Sequence, residues 1–396
     1  MKHYDVIVVG AGPAGGHVAH LLGSQGFDVG LFEEHNEIGR PIQCAGLVSL
    51  RVFDILGNKK GVLNEIKGAK VHSPSDQILD IHSNSPKACV IDRAEFDNSI
   101  VINAVDSGCD LHLGSKVKEV KRKNGKIHIQ ESKKGKKEDF TANLIVGCDG
   151  LGSIVARSFG FPKPKEVLSG FGAECIVNTD FDIEYVDIFV GNKIAPGFFA
   201  WLIPTGEGGA RLGLCTAHDK KNTRHYFENL LTHKAVRSRL KDVKIETYIT
   251  GAIPIGPTKN IVSDGVMLVG DSACQVKPLS GGGIYLGLLS GGYAANVAAG
   301  ALEYEDVSEK SLRKYPQLVQ ADVGKELKRA FQLRKIYLGL KDKHIEEGFK
   351  ILADKKVLSL IGKRGDIDYP SGLTKAVLKK APRLMKFAGP VLKSLI

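Results

Sequence analysis

Residues 4–15 read Y-D-V-I-V-V-G-A-G-P-A-G, an apolar, valine-rich run of strand length that ends on three glycines spaced G-x-G-x-x-G. In this pattern Gly10 permits a tight turn, Gly12 lets the backbone approach a pyrophosphate, and Gly15 lets the following helix pack closely on the strand. Helix-forming residues continue to about Gly26, and Val29 to Glu33 make the next strand-like run. The unit is therefore β-α-β, with a helix N-terminus whose unpaired N–H groups and partial positive charge face the phosphates. Glu33 stands 18 residues beyond Gly15, where a carboxylate accepts hydrogen bonds from a ribose. Strand alternation lets only one of Glu33 and Glu34 point inward, and position favours Glu33. Ala14, inside the loop, is expected to meet the ligand through its backbone.

The rest of the composition bounds what this unit belongs to. The 396 residues carry a net charge of +11, with 43% hydrophobic and 25% charged residues, which is globular and excludes a wholly disordered chain. The basic excess is local: residues 330–396 are net +9, residues 116–140 net +6, and the remainder about −4. No aromatics interleave the lysines of 116–140, so a solvated hairpin turning at Asn124-Gly125 and Lys133–Lys137 is expected rather than a nucleic-acid surface. Seven cysteines without a C-x-x-C pair argue against a disulfide framework or a zinc site and for a reducing compartment, here the cytoplasm. Asp5 interrupts any signal-peptide pattern. Pro278 to Leu302 is uncharged for 25 residues, but seven glycines and Asn296 mark it as a glycine-rich turn feeding a buried helix rather than a membrane span.

Further apolar strand-like runs lie at Ala88 to Asp92, Asn143 to Cys148 and Val266 to Val269. Alternating segments such as Tyr185 to Val190, Phe198 to Ile203 and Arg211 to Cys215 predict an antiparallel sheet. The expected order is α/β: a Rossmann-like nucleotide domain from 1–167 and 256–306, an inserted antiparallel-sheet substrate domain at 168–255, and a helical, lysine-rich region at 307–396.

Three further stretches specify the dinucleotide. Residues 266–284 read V-M-L-V-G-D-S-A-C-Q-V-K-P-L-S-G-G-G-I, residues 144–157 read L-I-V-G-C-D-G-L-G-S-I-V-A-R, and residues 91–97 read I-D-R-A-E-F-D. Together with the N-terminal unit they resemble the FAD-binding segments of the p-hydroxybenzoate hydroxylase-like branch of the glutathione-reductase fold. That resemblance implies FAD, with Asp271 on the ribityl chain, Gly283 and Ile284 approaching the flavin ring, Arg93 against the cofactor, and the backbone of Val117 at the adenine.

Residues 39–49, G-R-P-I-Q-C-A-G-L-V-S, and 197–204, G-F-F-A-W-L-I-P, followed by Arg211-Leu-Gly-Leu, resemble the geranylgeranyl reductase family, which includes archaeal reductases of digeranylgeranylglycerol phospholipids. The family's Y-x-W-x-F-P signature appears with Phe199, Trp201, Ile203 and Pro204, so a hydroxyl is replaced by apolar surface. The resemblance implies reduction of prenyl C=C bonds by reduced flavin. A long apolar tunnel follows, for which Phe198, Phe199, Trp201, Leu202 and Ile203 are the candidate lining, with simple core packing as the alternative that their spacing leaves open. Cys44 and Ala45 of the C-A motif are expected beside the ring. Leu47 stands where the family often has a glycine contact, so its contact runs through the backbone. Cys44 is the expected catalytic residue, as proton donor or tuner of the flavin, with simple packing as the alternative. Prenyl diphosphates or chlorophyll-type chains remain alternative substrates, and an aromatic monooxygenase or a halogenase alternative chemistries. NAD(P)H, ferredoxin or a reduced deazaflavin are the eligible electron donors. Leu373 to Ile396 holds six basic residues and no acid among apolar ones, broken by Pro382 and Pro390, a pattern of a segment on the anionic inner surface of the cell membrane or, equally, of an amphipathic helix packed on the body.

Overall fold

The computed structural model describes residues 1–177, 182–240, 243–256, 258 and 260–387. Strands that are apolar on both faces must be covered on both faces, which selects a parallel sheet between helices. Lys2–Val9 pairs in parallel with Val29–Phe32 on one side and Lys136–Gly147 on the other. Asp110–His112 extends the sheet beyond Val29–Phe32, and Val266–Leu268 extends it beyond Lys136–Gly147, again in parallel. The strand at 266–268 thus rejoins the sheet from the far side of the second sheet, so separated stretches of chain build one nucleotide-binding layer. The basic segment forms a hairpin on this sheet, Lys116–Lys123 with Lys126–Lys133, the latter pairing Lys136–Gly147.

Helix Pro13–Gly23 crosses helix Ile284–Glu303 closely because the latter presents glycines: a Cβ on Gly287 would lie 3.3 Å from that of Ala14, and one on Gly291 3.2 Å from Val18. The uncharged stretch is therefore this buried helix and the turn before it. Among the described residues no helix is long and apolar enough to cross a membrane.

The second sheet has the order Lys244–Ile255, Glu166–Ile176, Gly209–Thr216, Phe199–Gly206, Tyr185–Val190, Gly68–His72, Ile78–His82. It is antiparallel except where Tyr185–Val190 meets Gly68–His72. The last two strands come from within 1–167, outside the 168–255 segment in which the alternation was read. Their mixed pattern, with little full burial in Gly68–His72, gave no periodic signal. Helix Thr223–Thr232 covers one face, with Phe227 and Leu230 on Ala200, Leu202, Leu212 and Leu214. A small third sheet joins the layers: Leu47–Val48 and Val62–Ile66 both pair with Ala88–Ile91.

From 309 the chain is helical. Helix Gly324–Leu338 is fastened to the second sheet by Arg334, fully buried, whose guanidinium grips Glu166 at 2.8 and 2.5 Å and lies 5.2 Å from the Phe198 ring centre. The Tyr337 hydroxyl donates to the Phe198 carbonyl at 2.5 Å. Of the basic C-terminal segment, Ser371–Lys380 is helical and Pro382–Phe387 a 3₁₀ turn, while Pro390, Lys393 and the rest of 388–396 lie outside the described residues.

A Cβ on Gly15 would sit 1.9 Å from the Gly10 carbonyl oxygen. Backbone must therefore move, and Gly15→Ala is expected to cost about 1–3 kcal/mol, read as a lowered denaturation midpoint.

Candidate active site

Register sets where the site falls. Val9 is opposite Gly147, and Gly147 is opposite Leu268, so three neighbouring parallel strands end at one edge. Gly10, Cys148-Asp149 and Gly270-Asp271 leave from those ends, and Glu33 from the end of the next strand. Ligands of open α/β sheets bind outside such carboxyl ends. Gly10 has φ 96°, and a Cβ there would lie 2.5 Å from the Cys148 carbonyl oxygen, which only glycine allows. Helix Pro13–Gly23 begins at Gly12 without a side-chain cap, and the space a Gly12 side chain would enter is empty. Asp149 accepts from Ile154 N at 2.6 Å, at the first turn of helix Ile154–Ser158, which Ser153 caps.

Glu33 accepts from Ala11 N at 2.9 Å, and from His35 N and Nδ1 at 2.9 and 2.6 Å, so its carboxylate is held at the loop. Glu34 points outward to Lys116. Ser115 N donates to the Glu33 carbonyl at 2.8 Å, which brings Val117 to the same edge.

Asp92 caps helix Arg93–Asp106, accepting from Ala94 N and Glu95 N at 2.8 and 3.1 Å. This fixes Arg93 in the first turn, where it grips Asp97 one turn on through Nε at 2.9 Å and Nη2 at 2.6 Å. Cys44 also interacts with Arg93, and the Asp271 carboxyl feels the same guanidinium. Burial nevertheless pushes Asp271 up to about 6, against the pull of Arg93. Its carboxylate makes no hydrogen bond to protein among the described residues. Gly283 faces it so closely that a Cβ would meet Asp271 Oδ1 at 2.8 Å. Gly283 is also the uncapped start of the 20-residue helix Ile284–Glu303, whose first N–H groups are left for a ligand.

The C-A loop is held by Arg211, 3% exposed, which the sequence placed in a motif without a role. Its Nε donates to Glu174 at 2.9 Å, and its Nη1 to the carbonyls of Ala45 and Ile91 at 3.1 and 2.8 Å. Gly46 has φ 69°, and a Cβ there would reach within 2.1 Å of Arg211 Nη1, so the loop needs glycine at this point. Gly46 N donates to Cys44 Sγ at 3.3 Å, and Leu47 pairs with Val90.

Phe199 and Trp201 share one face of their strand, ring centres 6.1 Å apart. Trp201 packs with Ala45 and Leu47 on one side and with Phe198, Cys215 and Val276 on the other. Leu202 lies on the opposite face, fully buried under Phe227, and so is core; alternation puts Pro204 on that side too, its carbonyl taken by Asn64 at 3.1 Å. Phe198 is buried beneath Arg334 and stacks on Phe199 at 4.3 Å.

One constellation had no signal in the sequence. Lys277, in the turn before Gly281, donates to Asp368 at 2.8 Å, and Arg51 reaches Asp366 and Asp368 at 2.7 and 3.0 Å. Asp368 lies about ninety residues beyond the turn it braces, a separation that no local spacing reveals.

These features fit FAD: an open cradle at Gly12, two uncapped helix starts, a ribose-side carboxylate at Glu33, and an Asp271 carboxylate without a protein donor. The FAD binding domain family matches residues 3–299. A digeranylgeranylglycerophospholipid reductase of Methanocaldococcus jannaschii is 30% identical, covering 97% of each chain, and an uncharacterized protein of the same organism is 34% identical over 95% of each. A geranylgeranyl bacteriochlorophyll reductase-like protein of Thermoplasma acidophilum has a crystal structure that superposes with TM-score 0.89 over all of both chains at 26% identity. The chain belongs to the FAD binding domain family and, within it, to the family of the digeranylgeranylglycerophospholipid reductases. It is an FAD-dependent oxidoreductase.

Asp271 gives a pH test. Its folded value of about 6 lies above the 3.8 of a free aspartate side chain, so the folded FAD-free protein binds the extra proton in that window. Stability relative to Asp271→Asn is therefore expected to fall as pH rises from 4 to 6 and stay level above, read by denaturation midpoints. The same variant is expected to hold FAD less tightly, because the ribityl hydroxyls lose an anionic acceptor.

Proposed function

We propose that this enzyme saturates C=C bonds of geranylgeranyl chains in digeranylgeranylglycerol phospholipids. The observation that carries the reading is the apolar ledge of Phe199 and Trp201, set against the C-A loop and against Phe198, which contacts the glycine turn: a Cβ on Gly281 would lie 3.4 Å from Phe198 Cζ. A prenyl chain laid there runs between the aromatic ledge and the ring. Reduced FAD, when bound, supplies the hydride to one alkene carbon, and a proton completes the other.

The chain's own residues orient and dry this site. Arg211 sets the loop that carries Cys44, Arg334 and Tyr337 close the sheet behind Phe198, and the Lys277–Asp368 pair steadies the turn that approaches the ring. Cys44 is proposed to hand the proton to the alkene or to tune the ring, with the Arg93 guanidinium as its electrostatic neighbour. NAD(P)H, ferredoxin or a reduced deazaflavin is proposed to refill the flavin.

Anaerobic reduction of the flavin followed by a geranylgeranyl phospholipid is expected to reoxidise it without oxygen. A requirement for oxygen would instead assign monooxygenase or halogenase chemistry. In the same single-turnover assay Cys44→Ser is expected to slow reoxidation by ~10²-fold or more if the thiol supplies the proton, and an unchanged rate removes it from catalysis.

A cytoplasmic enzyme acting at the inner membrane surface is proposed as well. Lys375, Lys379, Lys380 and Arg383 are all exposed on the helix and turn of 371–387, which hold no acid. Flotation with vesicles containing anionic lipid is expected to recover the full chain and to lose one ending at Gly372. Equal recovery rejects the membrane contact.

A further inference from the structure

Beside the C-A loop, at Gln43, lies an open cleft of about 450 Å³. Its floor is made by two glycines paired across adjacent strands, Gly170 and Gly251. The missing side chains let the loop lie directly on the sheet, since a Cβ on Gly251 would be 3.0 Å from the Gln43 carbonyl oxygen. One wall is cationic: Lys220, Lys221 and Arg224, at the start of helix Thr223–Thr232. Lys220 and Lys221 form no ion pair among the described residues, and Arg224 shares its charge only with exposed Glu228 at 3.2 Å. No carboxylate lines the cleft. Gln43, at the rim, is the residue before Cys44.

Three cations around one concavity, with no anion in it, make a site for a doubly or singly charged oxyanion. The cleft is open to water, so the anion keeps part of its hydration, which a buried site would strip at high cost. It also adjoins the loop that borders the apolar ledge. An amphiphile with an anionic head here has its chain on the ledge side of the loop.

We propose that this cleft binds the phosphate head of the prenyl lipid, with Lys220, Lys221 and Arg224 as specificity residues that select phosphate esters over the uncharged glycerol diether. This rests on the prenyl-reductase reading. The phosphate of a free metabolite or of a nucleotide electron donor shares the chemistry, and the arms of the experiment separate these sources.

The FAD-loaded protein and its Lys220→Gln/Lys221→Gln/Arg224→Gln variant are titrated in detergent with digeranylgeranylglyceryl phosphate and with digeranylgeranylglycerol. Calorimetry reads Kd, and anaerobic flavin reoxidation reads turnover. The expected result is a Kd for the phosphate raised ~10- to 100-fold in the variant, with the Kd for the alcohol and the flavin spectrum unchanged. Inorganic phosphate is expected to compete weakly with the phospholipid in the wild type only. Equal loss for both lipids, or for neither, overturns the proposal. So does unchanged lipid binding with a weakened response to the electron donor, which would assign the cations to the donor. Charge-dependent binding of the phosphate without any reoxidation would keep the cleft and reject the reductase reading.

Discussion

The joint between the two sheets rests on one guanidinium. Arg211 rises from the middle of the second sheet, pairs through Nε with Glu174 on the neighbouring strand, and donates through Nη1 to the Ala45 and Ile91 carbonyls. A buried arginine of this kind is costly to leave unpaired, about 3–5 kcal/mol when a partner is removed, so each contact enforces the others. The C-A loop, the cap of the Arg93 helix and the aromatic strand are thereby held in one frame. Gly46 is what lets the guanidinium come close enough.

A second constraint acts along the nucleotide sheet. Parallel pairing in register makes neighbouring strands end together, and each end delivers a different polar group: the glycine loop, Asp149, Asp271 and Glu33. Two helices then begin at that edge without side-chain caps, so their partial positive charges are left for an anion or an electron-rich ring. Arg93 grips Asp97 and acts electrostatically on Asp271 and Cys44, which couples the charges at the end of the nucleotide sheet to the C-A loop. Burial pushes the Asp271 carboxyl up to about 6, and the Arg93 guanidinium pulls the other way.

The charge of the molecule also divides by purpose. The hairpin at 116–133 spreads its lysines on an exposed edge, with Lys116 paired to Glu34. The cleft cations at the start of helix Thr223–Thr232 do not stand out in the composition, since Lys220, Lys221 and Arg224 add little to the basic total. They gain meaning only because Gly170 and Gly251 open a concavity beside them.

Local sequence was enough for the first β-α-β unit, the glycine loop, the inward turn of Glu33 rather than Glu34, and the buried nature of the 278–302 stretch. Each of these depends on residues within about twenty positions, where periodicity and spacing carry the information. Alternation also separated the faces of the aromatic strand in principle, yet Leu202 was grouped with the tunnel because its apolar character does not say which face is covered. The tertiary structure decided that helix Thr223–Thr232 covers Leu202, and that Gly68–His82 leaves the first segment to extend the second sheet. It also gave Arg211 its partners and braced Lys277 with Asp368. Those facts join residues tens to hundreds of positions apart, and contact between them is set by how sheets and helices pack, which no single stretch of chain encodes.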